Sequence, residues 1–500
     1  MTGIVAAAAS SEKMMDVKGL HNRVRRRAGA AALCAVLAGA GAAAHGQSNL
    51  SSASNPFYGS VTRQKATDAT IRLSLDDAIA RGFENNLGLK EAENNQLTLR
   101  GERNEAIQEF LPTITVSGGT GVFVHNLAAQ GFGPGTISKF GALFPNGLPP
   151  GLSTITKDDL TQGQINYQQV LFSGPVIAAF KAAGAAEKSA YFAKESARGE
   201  VVQQVAMAYL HAIAAASEVD NATALERADQ VALDQARAAH EAGTAANLDE
   251  LRARVQLQAQ QQAVIAAQNA LDKDLILLKR EIGLDPGQNI QLTDPAPYGD
   301  LAVQTPEEVL TTAYKDRQDY QNLQNQLIEV RAIHLAYKSQ RLPTLAFGGY
   351  WGTDTVNGAG THGTFAAVGT LSVPIFREAK LRGDEDAAQA QMDGVRSQLR
   401  DLHDHIEQQV RDALLDVDAT GRLVQVARSN VDLATHELSD ETERVNAGVD
   451  DNLPLVAAQA SVASAESSVV ESLYQYNVAK LLLARAAGVL ETQYRAYLGK

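Results

Sequence analysis

The chain consists of two copies of one unit, and this duplication constrains its fold more than any other feature. Ser74–Ile79 matches Thr305–Leu310 at an offset of about 230 residues. Further along, Glu241–Gly243 matches Asn446–Gly448 at a smaller offset of about 205 residues. The first copy therefore carries about 26 extra residues between these two points. Because similar sequences fold alike, whatever one copy forms must also be formed by the other.

Each copy begins with a helix whose start is marked by a hydroxyl side chain. Ser74 and Thr305 are each followed three residues later by an acidic residue, the spacing of a capping box. The pattern predicts one continuous helix in each copy, running to about Glu109 and Gln340. A Leu-Pro-Thr motif follows both helices, and its proline prevents them from continuing.

Alternating apolar and polar residues then predict one β-hairpin in each copy. The loop of the first hairpin is rich in glycine and proline (131–151), and the second loop is short (355–363). The stretches that read as strands are Thr113–Ser117, Gln164–Tyr167, Leu345–Trp351 and Thr364–Val373.

After each hairpin a long helical pattern extends without interruption. These helices begin near Pro175 and Lys380 and end near Gly243 and Gly448, and each is about 100 Å long at 1.5 Å per residue. A half-length helix follows in each copy, over about 248–281 and 453–487. Two half-length helices stacked end to end would match one long helix, which predicts a bundle of long antiparallel helices.

The number of strands then indicates the assembly. Four strands in one chain leave unpaired edges, which a lipid bilayer does not tolerate, whereas three chains would supply the twelve strands of a closed barrel. The predicted fold is therefore mainly α, with a long antiparallel α-helical barrel and a transmembrane β-barrel that is twelve-stranded in a trimer. Phe347, Tyr350 and Trp351 are the expected aromatic belt of that barrel.

The N-terminal residues resemble a signal peptide. A basic segment with Arg25 precedes the short apolar run 28–37, and Ala44-His45-Gly46 fits a cleavage site, so residues 1–46 are expected to be removed. Cys34, the single cysteine, lies in the apolar run. Lipid modification of Cys34 is the alternative, although bulky Leu33 stands where processing needs a small residue.

The remaining boundaries follow from these elements. We expect an N-terminal periplasmic segment at 47–73, the first repeat at 74–290, a linker at 291–304, the second repeat at 305–490 and a C-terminal tail at 491–500. The net charge of −13 argues against a nucleic-acid partner.

Taken together, these motifs resemble the TolC-type outer-membrane factor family over about residues 70–490. The resemblance rests on the duplicated start at 73–78, Phe110–Thr113, Val170–Gly174, and the helix ends at Gly243 and Gly448. It implies a homotrimer in the cell outer membrane that extends into the periplasm as a twelve-helix tunnel. It also implies docking with a periplasmic adaptor (membrane fusion protein) and an inner-membrane pump.

In that family the turns after the two long helices form the closed periplasmic end and meet the adaptor. The matching tips here are 243–252 and 448–456. Acids at these tips could give the narrow point a cation preference, and solvated turn acids are the alternative. The expected contact and gate residues are Gly243, Leu248, Asp249, Glu250, Gly448, Asp450, Asp451 and Leu453.

No set of residues indicates an enzyme, a cofactor or a metal site. His403 and His405 are two residues apart, so they do not share a helix face. The sequence thus favours a passive channel of a tripartite efflux system for drugs or other small molecules. Two alternatives stay open: an outer-membrane duct for type I protein secretion, which has the same architecture, and a periplasmic coiled-coil adaptor, which has a single helical hairpin.

Overall fold

A computed structural model describes residues 54–61, 65–126, 155–243, 246–295, 299–302, 304–447 and 452–499, with isolated residues between them. The predicted signal peptide, the glycine-rich loop 131–151 and the tip residues Gly448, Asp450 and Asp451 lie outside the described residues.

Nine α-helices account for most of the described residues. Those of the first repeat are α1 (Leu75–Asn85), α2 (Leu87–Gln108), α3 (Gly174–Glu241) and α4 (Asn247–Glu281). Those of the second are α5 (Pro306–Asp316), α6 (Gln318–Ser339), α7 (Glu378–Asn446) and α8 (Asn452–Ala486), followed by the short α9 (Leu490–Leu498). Among these helices, none combines the length and the apolar composition needed to cross a bilayer.

The expectation of one continuous helix at the start of each copy was wrong. The chain is extended at Asn86 (φ −62°, ψ 130°) and at Arg317 (φ −67°, ψ 122°), which separates α1 from α2 and α5 from α6. The Asn86 side chain accepts a hydrogen bond from Leu89 N (3.2 Å), so it caps the new helix. The amide of Leu87 donates to Gly59 O (2.9 Å), which shows that the distant 54–61 segment stabilises the break.

Both long helices form as single elements, with 68 residues in α3 and 69 in α7. Near the strands, the helices pack in the order α2–α3–α6–α7. Beyond the junction of the half-length helices, the order is α4–α3–α8–α7. Small buried residues on α3, such as Ala178, Ala182 and Ala185, allow the neighbouring helices to approach closely.

The described residues also form two β-sheets. Their strands are β1 (Ile71–Leu73), β2 (Thr113–Asn126), β3 (Ile155–Phe172), β4 (Ile290–Leu292), β5 (Thr344–Val356) and β6 (His362–Ser372). The larger sheet is antiparallel, with the order β2–β3–β5–β6. Its strands are longer than the sequence pattern indicated, and the outer edges of β2 and β6 have no strand partner among the described residues.

The two faces of this larger sheet differ in chemistry. One row across all four strands pairs Val116, Ile165, Trp351 and Phe365, and each of these side chains is exposed. The next row, on the opposite face, pairs Thr115, Asn166, Tyr350 and Ala366. Alternation along a strand thus gives the sheet one apolar face and one mostly polar face.

The short strands β1 and β4 pair in parallel and form the smaller sheet. We call β1, β4, α1, α5 and α9 the belt, because α1 and α9 pack on α3 and α5 packs on α7. The main apolar core lies between the belt and the long helices. It includes Leu73, Leu75, Val201, Val205 and Tyr209, which are all almost completely buried.

Candidate functional site: a channel wall and its tip

The helices α2, α3, α4, α6, α7 and α8 pack side by side, and we call them the wall. One edge of the wall is α2 or α4 of the first repeat, and the other edge is α7 of the second repeat. Of these edge helices, α4 and α7 each carry exposed apolar residues that fall on one face of the helix, as the residues of a coiled-coil seam do. On α4 these residues are Leu248, Leu251, Val255, Ile265 and Ile276. On α7 they are Leu415, Leu423, Val426 and Leu433. Both edges therefore present seams that helix packing within the protomer leaves uncovered.

The half-length helices meet beside the two helix breaks, and a glycine makes each junction possible. Gly283 follows α4 with φ +76°, and Gly488 follows α8 with the same φ. A Cβ on Gly283 would lie 2.4 Å from Asn85 Cβ, and one on Gly488 would lie 2.7 Å from Arg317 N. Each glycine is needed both for its left-handed backbone and for the space it leaves.

Arginine side chains fix the second junction. The Arg317 guanidinium donates to both carboxylate oxygens of Asp319 (3.0 and 2.6 Å) and to Gln409 Oε1 (2.7 Å) on α7. Arg485 donates to Glu200 Oε2 (3.2 Å) on α3. Burial alone would raise the pKa of Asp319, but the hydrogen bonds and charge of Arg317 outweigh burial and hold this pKa below its ordinary value. The network thus joins α3, α6, α7 and α8 at the level where α8 takes the place of α6 between α3 and α7.

At the first tip the structure brings four of the predicted residues together. Gly243 has φ +72°, and its amide donates to His240 O (2.9 Å), which ends α3. Leu248 is exposed in the first turn of α4. Asp249 and Glu250 lie in the same turn, where the helix dipole favours negative charge.

The acids of this tip also pair with arginines. Glu250 is 2.7 Å from Arg254 and 3.7 Å from Arg237, and Asp249 is 3.5 Å from Arg252. Part of the predicted negative charge is therefore balanced locally. Of the residues predicted at the second tip, Leu453 alone is described, as a residue of the first turn of α8.

The predicted aromatic belt of the sheet needs one correction. Phe347 and Trp351 lie on the apolar face, and the Phe347 ring packs edge-on against Tyr167 (5.8 Å). Tyr350 lies on the polar face, because it is one residue from Trp351 and successive side chains of a strand point to opposite faces. Aromatic character suggested that all three residues face lipid, but the alternation of side chains along the strand places Tyr350 on the other face.

The histidines at 403 and 405 have other partners. The His403 ring stacks on Tyr314 of α5 (4.4 Å between centroids), and His405 Nε2 lies 2.9 Å from Gln409 Nε2. Within the described residues, His, Cys, Asp and Glu side chains nowhere gather in the sets of three that a metal ion would need.

Sequence reasoning missed one group of titratable residues on the wall. His211 Nδ1 of α3 lies 2.9 Å from Asp274 Oδ2 of α4, and its ring packs edge-on against Tyr474 of α8 (5.2 Å). The hydrogen bond to Asp274 raises the pKa of His211 above its ordinary value. The group comes from three helices, so no local motif could have revealed it.

Two repeats of long antiparallel helices, each of which contributes one hairpin to a single small antiparallel sheet, define the class of TolC-like channel folds. Residues 78–284 and 310–489 match the family model of the outer membrane efflux protein, and the chain belongs to this family. It is an outer-membrane protein of a family of channels, as the sequence predicted. No curated protein is similar enough in sequence to be matched.

Solved structures agree on the fold. A membrane protein from Pseudomonas aeruginosa is 19% identical, with a TM-score of 0.69 over 83% of this chain and 93% of that chain. The Campylobacter jejuni CmeC outer membrane channel is 14% identical, with a TM-score of 0.67 over 87% and 92%. The open state of the Neisseria gonorrhoeae MtrE outer membrane channel is 17% identical, with a TM-score of 0.66 over 86% and 95%. These likenesses confirm the predicted fold class.

Proposed function

We propose that three copies of this chain close into one channel, which conducts small molecules out of the cell as part of a tripartite efflux system. The observation that carries the proposal is that the four-stranded sheet and the helical wall each have two open edges. Among the described residues, the sheet ends at β2 and β6, and the wall ends at α4 or α2 on one side and at α7 on the other.

These edges are complementary between copies. β2 and β6 run in opposite directions in an antiparallel sheet of four strands, so β6 of one copy can pair antiparallel with β2 of the next. The seam on α7, where Val426 and Leu433 are exposed, can pack against the α4 seam in the same step. Contact between two different surfaces generates a ring when the rotation closes.

A closed ring explains the chemistry of the sheet. The face with Val116, Ile165, Trp351 and Phe365 would contact lipid, and the face with Thr115, Asn166 and Tyr350 would line a polar lumen. The wall would continue this lumen into the periplasm. Transport through such a duct is passive, and the energy would come from an inner-membrane pump that delivers its substrate through a periplasmic adaptor.

The tips are the proposed contact with that adaptor and the proposed gate. Gly243 makes the turn, Leu248 supplies an exposed apolar contact, and Asp249 and Glu250 supply charge next to arginines. In the second tip, Gly448, Asp450, Asp451 and Leu453 are the corresponding residues proposed from the repeat.

Two measurements test the proposal. Purified protein reconstituted into a planar bilayer should give discrete conductance steps, and deletion of the gene should make cells more sensitive to drugs, detergents or metals. Loss of a secreted protein from the medium, without any change in sensitivity, would replace efflux by type I secretion. Absence of conductance steps from correctly folded protein would contradict a channel of either kind.

A further inference from the structure

We propose that His211, together with Asp274 and Glu471, forms a titratable ring of charge on the tunnel wall that sets the ion preference of the duct according to pH. The inference rests on the proposed trimeric channel, in which each copy would contribute one such cluster. Three histidines and six carboxylates would then surround the tunnel at one level.

The side of the wall on which His211 lies follows from its neighbour Tyr209. Tyr209 is fully buried against the belt, and its hydroxyl donates to Leu73 O of β1 (2.9 Å). His211 is two residues further on, about 200° around the helix. Its side chain is 53% exposed between the buried residues Leu210 and Ala212. His211 therefore projects from the side of the wall opposite the belt.

The side opposite the belt is the tunnel side in the proposed ring. The belt helices α1 and α9 pack on α3, and α5 packs on α7. A conducting tunnel leaves no room for these helices inside, so in the proposed ring they lie outside it. His211 also bridges both neighbours of α3, since Asp274 belongs to α4 and Tyr474 to α8. Groups from three adjacent helices thus meet on one wall surface.

The charges that face His211 are all acidic. From α4 it faces Asp274, and from α8 it faces Glu471 and the neutral phenol of Tyr474. Glu471 accepts a hydrogen bond from Gln475 (2.6 Å), and Asp274 is only 19% exposed. With a protonated His211 each cluster has a net charge of about −1, and with a neutral His211 about −2. Tunnel charge therefore becomes more negative as pH rises.

This arrangement has a direct consequence for permeation. A ring of negative charge attracts cations and repels anions, and its effect is focused within a narrow tunnel. One unit charge at about 10 Å in water changes the local concentration of a monovalent ion about twofold. Preference for cations should rise about twofold or more as the pH passes upward through the range in which His211 titrates.

The first test measures reversal potentials in planar bilayers under a KCl gradient, from about pH 5.5 to 8.5. The wild-type channel should become about twofold more cation-preferring over this interval, and His211→Asn should remove this change while keeping a side chain that can bond to Asp274. His403→Asn is the matched control, because His403 stacks on the belt residue Tyr314 and lies on the outer side. An unaltered pH response in His211→Asn would overturn the proposal.

The second test establishes which side His211 faces. Because Cys34, the single cysteine, lies in the N-terminal segment that is expected to be removed, the mature chain has no natural thiol, and His211→Cys and His403→Cys are treated directly with a charged methanethiosulfonate reagent added at the barrel mouth. Modification should change the conductance of His211→Cys and leave His403→Cys unaffected. The reverse pattern would overturn the proposal. Both results presuppose that channels form, so a failure of the proposed function is recognised separately by the absence of conductance.

Discussion

Replacement of Gly488 by alanine should loosen the junction at which α8 meets α6. Two costs act at this position. The left-handed backbone (φ +76°) costs an alanine about 1–2 kcal/mol. In addition, the new Cβ would lie 2.7 Å from Arg317 N, 2.8 Å from Arg317 Cα and 2.9 Å from Arg317 Cγ. Because two of these atoms are backbone, relief requires movement of α6, and overpacking of this kind costs about 1–3 kcal/mol.

Gly243→Ala is the matched control for this experiment. Gly243 has nearly the same backbone conformation (φ +72°), but among the described residues no atom beyond its immediate chain neighbourhood would lie within 4 Å of a Cβ placed there. Alanine there incurs the conformational cost alone, about 1–2 kcal/mol. The difference between the variants, about 1–3 kcal/mol, is then the energy of the close approach between Gly488 and Arg317.

Hydrogen exchange measures this difference where it arises. The amide of Gln321 donates to Arg317 O (3.2 Å), and the amide of Val489 donates to Ala484 O (3.0 Å). Exchange of peptides that contain these amides should accelerate about tenfold or more in Gly488→Ala and remain unchanged in Gly243→Ala. Equal exchange at the junction in both variants would refute the packing argument.

Three further predictions follow from single residues. Burial raises the pKa of Glu281 to about 8, so its contribution to stability is complete below about pH 4 and is lost as pH rises through about 8. Glu281→Gln should therefore remove a loss of up to about 4 kcal/mol in the free energy of unfolding between pH 5 and 8. Thermal unfolding of both proteins across this pH range measures the difference. Tyr209→Phe removes the bond to Leu73 O and should lower the stability of the belt by about 1–2 kcal/mol, measured by exchange of the β1 amides. Leu433→Glu places a charge on the exposed α7 seam and should reduce the trimer fraction in light scattering, whereas Leu433→Met should not.

The sequence allowed the long elements to be predicted because their limits are set locally. Proline follows α2 and α6, and a glycine with positive φ follows α3, so residue type alone fixes these ends. Alternating apolar residues likewise predicted the strands, although polar residues hid how far they extend.

The helix breaks could not be predicted in the same way. Around Asn86 the sequence remains compatible with a helix, and the break is stabilised by contacts with Phe57 and Gly59, which lie well before α1 in the chain. β1 and β4 are very short and pair across almost the whole first repeat, so neither has a distinctive local pattern. Non-local contacts decide both features.

The candidate site was predictable to a similar extent. The first tip follows from the repeat and from the glycine at its start, whereas its arginine partners lie on different turns of two helices and became visible only in the structure. His211 gave no signal at all, because Asp274 and Tyr474 belong to other helices far along the chain. Spatial neighbours from separate helices define such a group.

The number of chains in one channel tests the central claim most directly. Native mass spectrometry of the protein extracted from the outer membrane counts these chains without assuming any structure. Closure through the β2 and β6 edges and the α4 and α7 seams predicts a mass of three chains, with no stable monomer. A monomer, or a closed assembly of two or four chains that conducts ions, would contradict the account.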